Sequence, residues 1–215
     1  MAAEQPTTEL DSDEELVSAQ ADVEVQEEPG APPVEELDAE TRARRDAALR
    51  QVRKLGDPVL RAVAVPVERF DEELEREAQR MGELMHDALG VGLAATQVGI
   101  LHRVLVYQAY ADDPLRVLVN PEIEWLSEAL ETAEEGCLSL PGVHVQVERP
   151  ASVRVRARDE HGVQVQVQAE GLEARVIQHE IDHLDGILVL DRISREERKE
   201  AMRALREAQR APSAA

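Results

Sequence analysis

The chain is poor in cysteine and in aromatic residues, which limits how it can be stabilised. Its 215 residues include one cysteine, one tryptophan, one phenylalanine and two tyrosines. A single cysteine excludes an internal disulfide framework, and no apolar run is long enough to span a bilayer. We therefore expect a cytoplasmic, reducing location, no membrane segment, and a core built mainly from aliphatic side chains.

Basic residues are missing from the first 40 positions, which hold 14 of the 45 Asp and Glu residues. The remaining 175 positions carry 31 acidic and 24 basic residues, so their net charge is −7 instead of −21. With four prolines and no aromatic residue, the first 40 positions bury too little apolar surface to offset chain entropy. The sequence predicts a disordered acidic tail over residues 1–40, and docking of this tail to a basic partner is the alternative.

A folded domain is predicted over residues 41–194, followed by a charged helix and tail over 195–215. Leu and Met side chains at helical spacing follow Asp71, which is a suitable N-cap, and Gly90 is expected to take the left-handed conformation after the helix. Strands are predicted over 103–108, 115–119 and 123–126, with a break between the last two at Asn120 and Pro121.

Strict alternation of side chains predicts a hairpin further along the chain. Valine or alanine alternates with arginine over 153–158, and valine with glutamine over 163–168, across a turn at His161 and Gly162. This pattern is typical of an antiparallel pair with one exposed face. Three outward arginines could contact nucleic acid, but no aromatic residues lie between them, so we expect a solvated face and no direct DNA binding.

The pentad His179-Glu180-Ile181-Asp182-His183 is the first sign of a catalytic site. Two histidines four residues apart lie on one face of a helix, close enough to bind one metal ion. A hydrolytic metal site usually has three protein ligands and an open position, and Cys137 is the candidate third ligand. No histidine follows His183, which disfavours a metallopeptidase with a downstream ligand. The plainer alternative is a buried helix whose histidines only satisfy hydrogen bonds.

The helix that carries this pentad is predicted to begin after Gly171. On a helical wheel, Leu172, Val176, His179 and His183 cluster within roughly 60°, with further apolar residues on the adjoining arc. Such a helix has more than half of its circumference apolar or catalytic, so it is expected to be central. With several strands and few helices, the sequence predicts an α+β fold in which antiparallel sheets wrap this metal-binding helix.

Glu180 projects about 100° away from His179, which is unsuitable for a metal ligand but suitable for proton transfer. We expect a metal-bound water to attack a carbonyl group while Glu180 acts as general base and then general acid. The oxyanion that develops needs hydrogen-bond donors, for which the backbone N–H of Leu138 and a glutamine side chain are candidates.

Three motifs, in this order, resemble those of the peptide deformylase family. They are Gly-Val-Gly-Leu-Ala-Ala-Thr-Gln at 90–97, Glu-Gly-Cys-Leu-Ser at 135–139 and Gln-His-Glu-Ile-Asp-His at 178–183. The resemblance covers about residues 52–193. It implies a metal-dependent hydrolase that removes the N-formyl group from the initiator methionine of nascent polypeptides, with a central helix wrapped by antiparallel sheets.

The resemblance also assigns roles to individual residues. Glu180 would be the acid and base, while Gln97 and the Leu138 amide would hold the oxyanion. The cofactor would be one divalent ion, Fe²⁺ in the cell, although Zn²⁺, Ni²⁺ and Co²⁺ suit the same donors. Its ligands would be one thiolate and two imidazoles: Cys137, His179 and His183.

The substrate backbone would add as a strand along the first motif, and its methionine would enter an apolar pocket. Two departures from the family pattern stand out. Thr96 replaces a common proline and is expected to loosen the turn without touching a metal ligand, and Arg175 is expected at the rim of the active-site face. The candidate substrate-binding residues are Gly90, Val91, Gly92, Gly136, Leu172 and Val176.

Residues 195–206 are helical in composition and rich in arginine, with glutamates between the basic residues and Arg210 beyond them. In some deformylases a basic C-terminal helix contacts the ribosome, so the ribosome is an expected partner, with a solvated helix as the alternative. Two other functions remain open from the sequence. One is a metallopeptidase that cuts internal peptide bonds, and the other is a catalytically silent ribosome-bound module.

Overall fold

The structure, a computed structural model, describes residues 37–210. Residues 1–36, which make up most of the expected acidic tail, and residues 211–215 lie outside the described residues. Helix α1 spans Ala39–Leu49 and begins two residues before position 41. The Asp38 carboxylate caps it by accepting hydrogen bonds from the backbone N–H groups of Glu40 and Thr41, so residues 39 and 40 of the expected tail belong to this helix.

Helix α2 spans Glu72–Asp87, and Asp71 caps it as expected. Its end differs from the expectation, because Leu89 and not Gly90 takes the left-handed conformation, with φ of 58°. At the end of the helix, the N–H of Gly90 donates to the carbonyl of Met85, and the N–H of Leu89 donates to the carbonyl of His86. This is the Schellman arrangement, in which the residue before Gly90 must turn left-handed.

The main antiparallel sheet has five strands, in the spatial order β1 (Gly92–Ala94), β2 (Val104–Tyr107), β3 (Arg116–Leu126), β6 (Ser152–Arg158) and β7 (Gln164–Glu170). Strand β1 is short and lies at the edge of the sheet. The hairpin predicted from the alternating pattern is the β6–β7 pair, with its turn at Gly162, where φ is 84°.

The predicted break at Asn120 and Pro121 is wrong, because β3 runs through both residues. Its first part pairs with β2 and its second part with β6, and the pairing register shifts between Val119 and Glu122. Asn120 adopts φ of 53° at this point. At this point β3 changes its pairing partner from β2 to β6. The left-handed Asn120 and the missing N–H of Pro121 therefore bend the strand but do not end it.

A second sheet consists of β4, Leu130–Gly136, and β5, His144–Pro150, and the sequence pattern did not predict it. Strand β4 is mostly polar and exposed, with only Glu135 buried. Its last residues lead directly to Cys137. This hairpin therefore delivers the cysteine to the rest of the domain.

Helix α3, Gly171–Leu184, lies in the middle of the domain and contacts strands of both sheets. Ala174, Ile177, Ile181 and Leu184 pack against buried valines of β6 and against β2 and β3. This confirms the α+β class and the central helix. Arg175, Gln178 and Asp182 of this helix are also buried, and each forms a hydrogen bond with a residue of the second sheet.

Helix α4, Arg195–Arg210, packs against the second sheet. Ala201 and Leu205 are buried together with Leu140, Val143 and Val145. The helix therefore covers an apolar surface that would otherwise be exposed. Within residues 37–210, none of the helices has the length and apolar character needed to cross a membrane.

The stability of the bend in β3 is testable at Asn120. Its side chain accepts a hydrogen bond from Val67 N and donates one to Val67 O, both at 2.8 Å. We expect Asn120→Ala to lower the free energy of unfolding by about 2–3 kcal/mol, from two hydrogen bonds and the left-handed backbone. Asn120→Gly should cost about 1 kcal/mol less, because glycine tolerates this conformation. Urea denaturation measures both, and equal losses would contradict the contribution assigned to the backbone.

Candidate metal centre and active site

Cys137, His179 and His183 come together in the interior of the domain. One donor atom from each lies within 4.8 Å of the others, and Cys137 Sγ is 3.2 Å from His183 Nε2. Ligand atoms around a tetrahedral ion at ordinary Zn–S and Zn–N distances would be roughly 3.3–3.6 Å apart. One thiolate and two imidazoles at this spacing fit a single divalent transition-metal ion.

Each ligand is positioned by a different kind of local structure. The histidines lie one turn apart on α3, with ring centroids separated by 5.0 Å. Cys137 follows the end of β4, and its carbonyl accepts a hydrogen bond from Leu140 N in a tight turn. The cluster therefore forms only when the second sheet packs against α3.

His179 is oriented by Glu135, whose Oε2 is 2.9 Å from His179 Nδ1. A carboxylate at this position accepts the Nδ1 proton, which leaves Nε2 as the atom available for a metal. Glu135 lies two residues before Cys137. The end of β4 therefore leads into one candidate ligand, Cys137, and orients another, His179.

A buried ionic network surrounds Glu135. Arg149 of β5 donates to both of its oxygens, at 2.6 and 3.0 Å, and Arg175 donates to Oε1 at 2.8 Å. Arg175 also donates to the carbonyls of Val147 and Glu131. The expected position of Arg175 at the rim is therefore wrong, because its side chain is buried beneath the second sheet and binds both strands.

Asp182 extends this network. It accepts a hydrogen bond from Arg149 at 2.9 Å and two from Arg192, which lies after α3. Two buried carboxylates and two buried arginines, with the half-exposed Arg192, thus connect α3, β4 and β5. Paired charges of this kind are tolerated in an interior, because each keeps its hydrogen-bond partners.

These contacts shift the pKa values of the site. Burial raises the pKa of Glu135, but hydrogen bonds from His179 and Arg149 outweigh it and lower this pKa to about 2. Burial also raises the pKa of the Cys137 thiol, yet the charge on His183 and hydrogen bonds from both histidines hold it well below its usual value. Glu135 is therefore an anion at neutral pH, and Cys137 favours the thiolate that a metal requires.

Glu180 is buried beside the three ligands, and burial raises the pKa of its carboxyl group. Within residues 37–210, its Oε2 and His183 Nδ1 are two of the three buried side-chain atoms without a hydrogen-bond partner. Because an unpaired buried carboxylate is costly, its persistence is typical of a functional site.

Two glycines of the first motif allow close packing at this site. A Cβ on Gly92 would lie 2.5 Å from Glu180 Oε1 and 2.9 Å from Val176 Cγ1. A Cβ on Gly90 would lie 2.9 Å from Leu138 Cδ1. Strand β1 therefore approaches α3 and the cysteine segment more closely than any side chain at these positions would allow.

Gln97 faces the cysteine segment. Its Oε1 accepts a hydrogen bond from Ala94 N at 2.9 Å, which leaves Nε2 to approach Ser139 Oγ at 3.3 Å and Cys137 Sγ at 3.8 Å. Leu138 directly follows Cys137. Both proposed oxyanion donors therefore lie beside the ligand cluster.

Thr96 is fully buried, and its hydroxyl donates to the carbonyl of His183 at 3.1 Å. The expectation that it touches no metal ligand is wrong, because it binds the backbone of one. The hydroxyl connects the first motif to the end of α3. Thr96 therefore fixes the first motif to α3 and does not loosen the turn.

The proposed substrate-binding residues lie in different environments. Val91 is 44% exposed, immediately before the edge strand β1, whereas Val176 is buried next to Gly92 and Leu172 is partly buried. Gly136 is the last residue of β4, and a Cβ added there would lie 3.3 Å from the His144 ring. The fold brings Gly92 of β1 and Val176 of α3 into close contact.

Comparisons with known proteins agree with this geometry. The family model described as polypeptide deformylase matches residues 49–199. A curated peptide deformylase of Parafrankia sp. is 46% identical over 162 residues, which cover 75% of this chain and 88% of that protein.

Solved structures extend the comparison. A peptide deformylase of Synechococcus elongatus, solved with actinonin, is 46% identical with a TM-score of 0.68, covering 71% of this chain and 85% of that one. A peptide deformylase of Legionella pneumophila is 41% identical with a TM-score of 0.71, covering 74% and 94%. From the family match, the sequence identities and the shared fold, we conclude that the chain belongs to the peptide deformylase family, whose members hydrolytically remove the formyl group from N-formylated polypeptides.

Proposed function

We propose that this protein removes the formyl group from N-formylmethionyl nascent polypeptides in the cytoplasm through a metal-assisted hydrolysis in which Glu180 moves the protons. The observation that carries this proposal is the position of a buried, unpaired Glu180 carboxylate oxygen beside the Cys137, His179 and His183 donors. A bound divalent ion supplies Lewis acidity and makes a water molecule acidic near neutral pH.

Glu180 accepts the proton that the attacking water loses and delivers it to the departing amine of methionine. Burial raises the pKa of its carboxyl group, which makes the carboxylate a stronger base than an exposed glutamate. Burial excludes competing water from the carboxylate. The same residue thus serves both halves of the reaction.

Charge that develops on the formyl oxygen needs donors that are already in place. Gln97 is fixed by its bond to Ala94 N, so its amide N–H₂ group remains directed toward the cysteine segment. The Leu138 N–H is the second donor. Preorganised donors of this kind typically account for a large part of the rate enhancement in acyl transfer.

The substrate backbone pairs with the free edge of the sheet. Strand β1 is an edge strand, and Val91 before it is exposed, so an extended peptide can add there. Gly90 and Gly92 let this edge lie close to Leu138 and Glu180, so a peptide paired with it is brought near the proposed general base. Leu172 and Val176 of α3 then supply apolar contacts for the methionine side chain.

Fe²⁺ is the proposed cellular ion. The thiolate and two imidazoles suit Fe²⁺, Zn²⁺, Ni²⁺ and Co²⁺, and the family resemblance favours Fe²⁺. Formate release is therefore measured with protein that is prepared without oxygen and loaded with Fe²⁺.

Glu180→Gln tests the reaction and the base together. We expect the parent to release formate from formyl-Met-Ala-Ser, and the variant to lose about 10²–10⁴-fold in kcat with its metal content unchanged. Glu173→Gln, on the same helix, should retain activity. A fully metallated parent that releases no formate would overturn the deformylase function. Cleavage of an internal bond in a longer unformylated peptide would then indicate a metallopeptidase, and no cleavage a silent module.

Glu135→Gln tests the support of the metal centre. Loss of the carboxylate that orients His179 should weaken metal affinity about 10–100-fold in competition with a chelator, whereas the exposed neighbour change Glu134→Gln should not. The lowered pKa of Glu135 adds a pH signature in metal-free protein. Because the pKa of Glu135 in the folded protein is below the ordinary glutamate value of 4.5, its contribution to stability is present above pH 4.5 and is lost as the pH falls toward 2. Unchanged metal affinity would remove Glu135 from this role.

Ribosome contact is proposed through the exposed face of α4. Truncation is a poor test, because Ala201 and Leu205 stabilise the second sheet. We expect the double change Arg203→Glu and Arg206→Glu, at exposed positions, to reduce co-sedimentation with bacterial ribosomes at low salt. Arg80→Glu, exposed on α2, is the matched control. Co-sedimentation equal to that of the parent would exclude α4 as the contact.

A further inference from the structure

The segment 53–55 runs between the two loops that carry the oxyanion donors. Arg53 N donates to Gln97 O at 2.7 Å, and Leu55 N donates to Ser139 O at 3.0 Å. The segment is fixed on one side to the Gln97 loop and on the other to the cysteine segment. It therefore sets the distance between these two parts of the site.

Lys54, in the middle of this segment, reaches the cysteine segment with its side chain. Its Nζ donates to Leu138 O at 3.0 Å in a partly buried position. The neighbouring carbonyls accept from backbone groups: Cys137 O from Leu140 N, and Ser139 O from Leu55 N. Of these three consecutive carbonyls, Leu138 O is the one held by a side chain.

These bonds restrict the orientation of the Leu138 amide. The peptide between Cys137 and Leu138 is planar and trans, so its N–H points away from the Cys137 carbonyl, which is already bonded. The Lys54 bond fixes the next peptide plane. With both planes held, the backbone dihedral angles of Leu138 have little freedom.

The charge of Lys54 acts on the same group. Burial lowers the pKa of Lys54, while the negative charge of nearby Cys137 favours its ammonium form. A charge-assisted hydrogen bond is also stronger than a neutral one and holds its acceptor more firmly.

We propose that Lys54 is a positioning residue for the deformylation reaction, because its ammonium group bonds Leu138 O and so holds the Leu138 N–H toward the developing oxyanion. This inference rests on the proposed function. It assigns to Lys54 an effect on the transition state and not on the binding of the ground-state peptide.

Three variants separate positioning from a general structural effect. Lys54→Met removes the donor and the charge, Lys54→Arg keeps both, and Arg50→Met removes an exposed charge at the end of α1. We expect Lys54→Met to lower kcat per bound Fe²⁺ on formyl-Met-Ala-Ser by about tenfold or more, with KM within about twofold of the parent. Lys54→Arg should keep kcat within about threefold of the parent, and Arg50→Met should leave it nearly unchanged.

Amide hydrogen exchange supplies a readout that does not depend on activity. In metal-free protein, Lys54→Met should make exchange in residues 137–140 faster by about tenfold, with β6 and β7 unchanged. Lys54→Met with parental kcat would overturn the inference, as would a loss that follows metal content or is equalled by Arg50→Met. An inactive parent would defeat the proposed function instead, and parental exchange in Lys54→Met would then reject the positioning contact independently.

Discussion

The active site depends on the buried contact between Glu135 and Arg149. This pair connects the two strands of the second sheet, and through His179 and Asp182 it connects that sheet to the central helix. Although β4 is mostly polar and exposed, this contact holds its end against α3 and so places Cys137 beside the histidines. The charges are stable in the interior because each carboxylate is matched by arginine donors, and removal of one member would leave the others unpaired.

A second constraint is the close approach of β1 to α3. Gly92 lies where any Cβ would collide with Glu180, so the strand with the proposed peptide-binding edge also borders the proposed general base. In the proposed reaction, the same packing contact places substrate pairing beside proton transfer. The hydroxyl of Thr96 reinforces this arrangement by binding the last turn of α3.

Much of this site follows from local sequence patterns. Periodicity predicts α2, α3, α4 and the β6–β7 hairpin, since side chains repeat at intervals set by each backbone geometry. The spacing of His179 and His183 predicts their shared face, and the motifs predict the family. Periodicity does not predict the second sheet, because β4 has few apolar residues that could alternate with polar ones. Strand β4 is instead held by Glu135, which binds arginines distant in sequence. Periodicity also does not predict the Leu89 and Asn120 conformations, because they depend on where neighbouring hydrogen bonds fall.

The sequence alone determined the residue types for the chemistry: one thiolate, two imidazoles one helical turn apart, and an acid between them. Tertiary structure decided which supporting groups reach them. Glu135, Arg149, Arg175 and Asp182 form one network, and Lys54 bonds a carbonyl 84 residues away in the chain. Motif spacing is local, because it reflects the repeat of a helix or strand. Pairing of buried charges is set by how the sheets close around α3, and no local repeat encodes that closure.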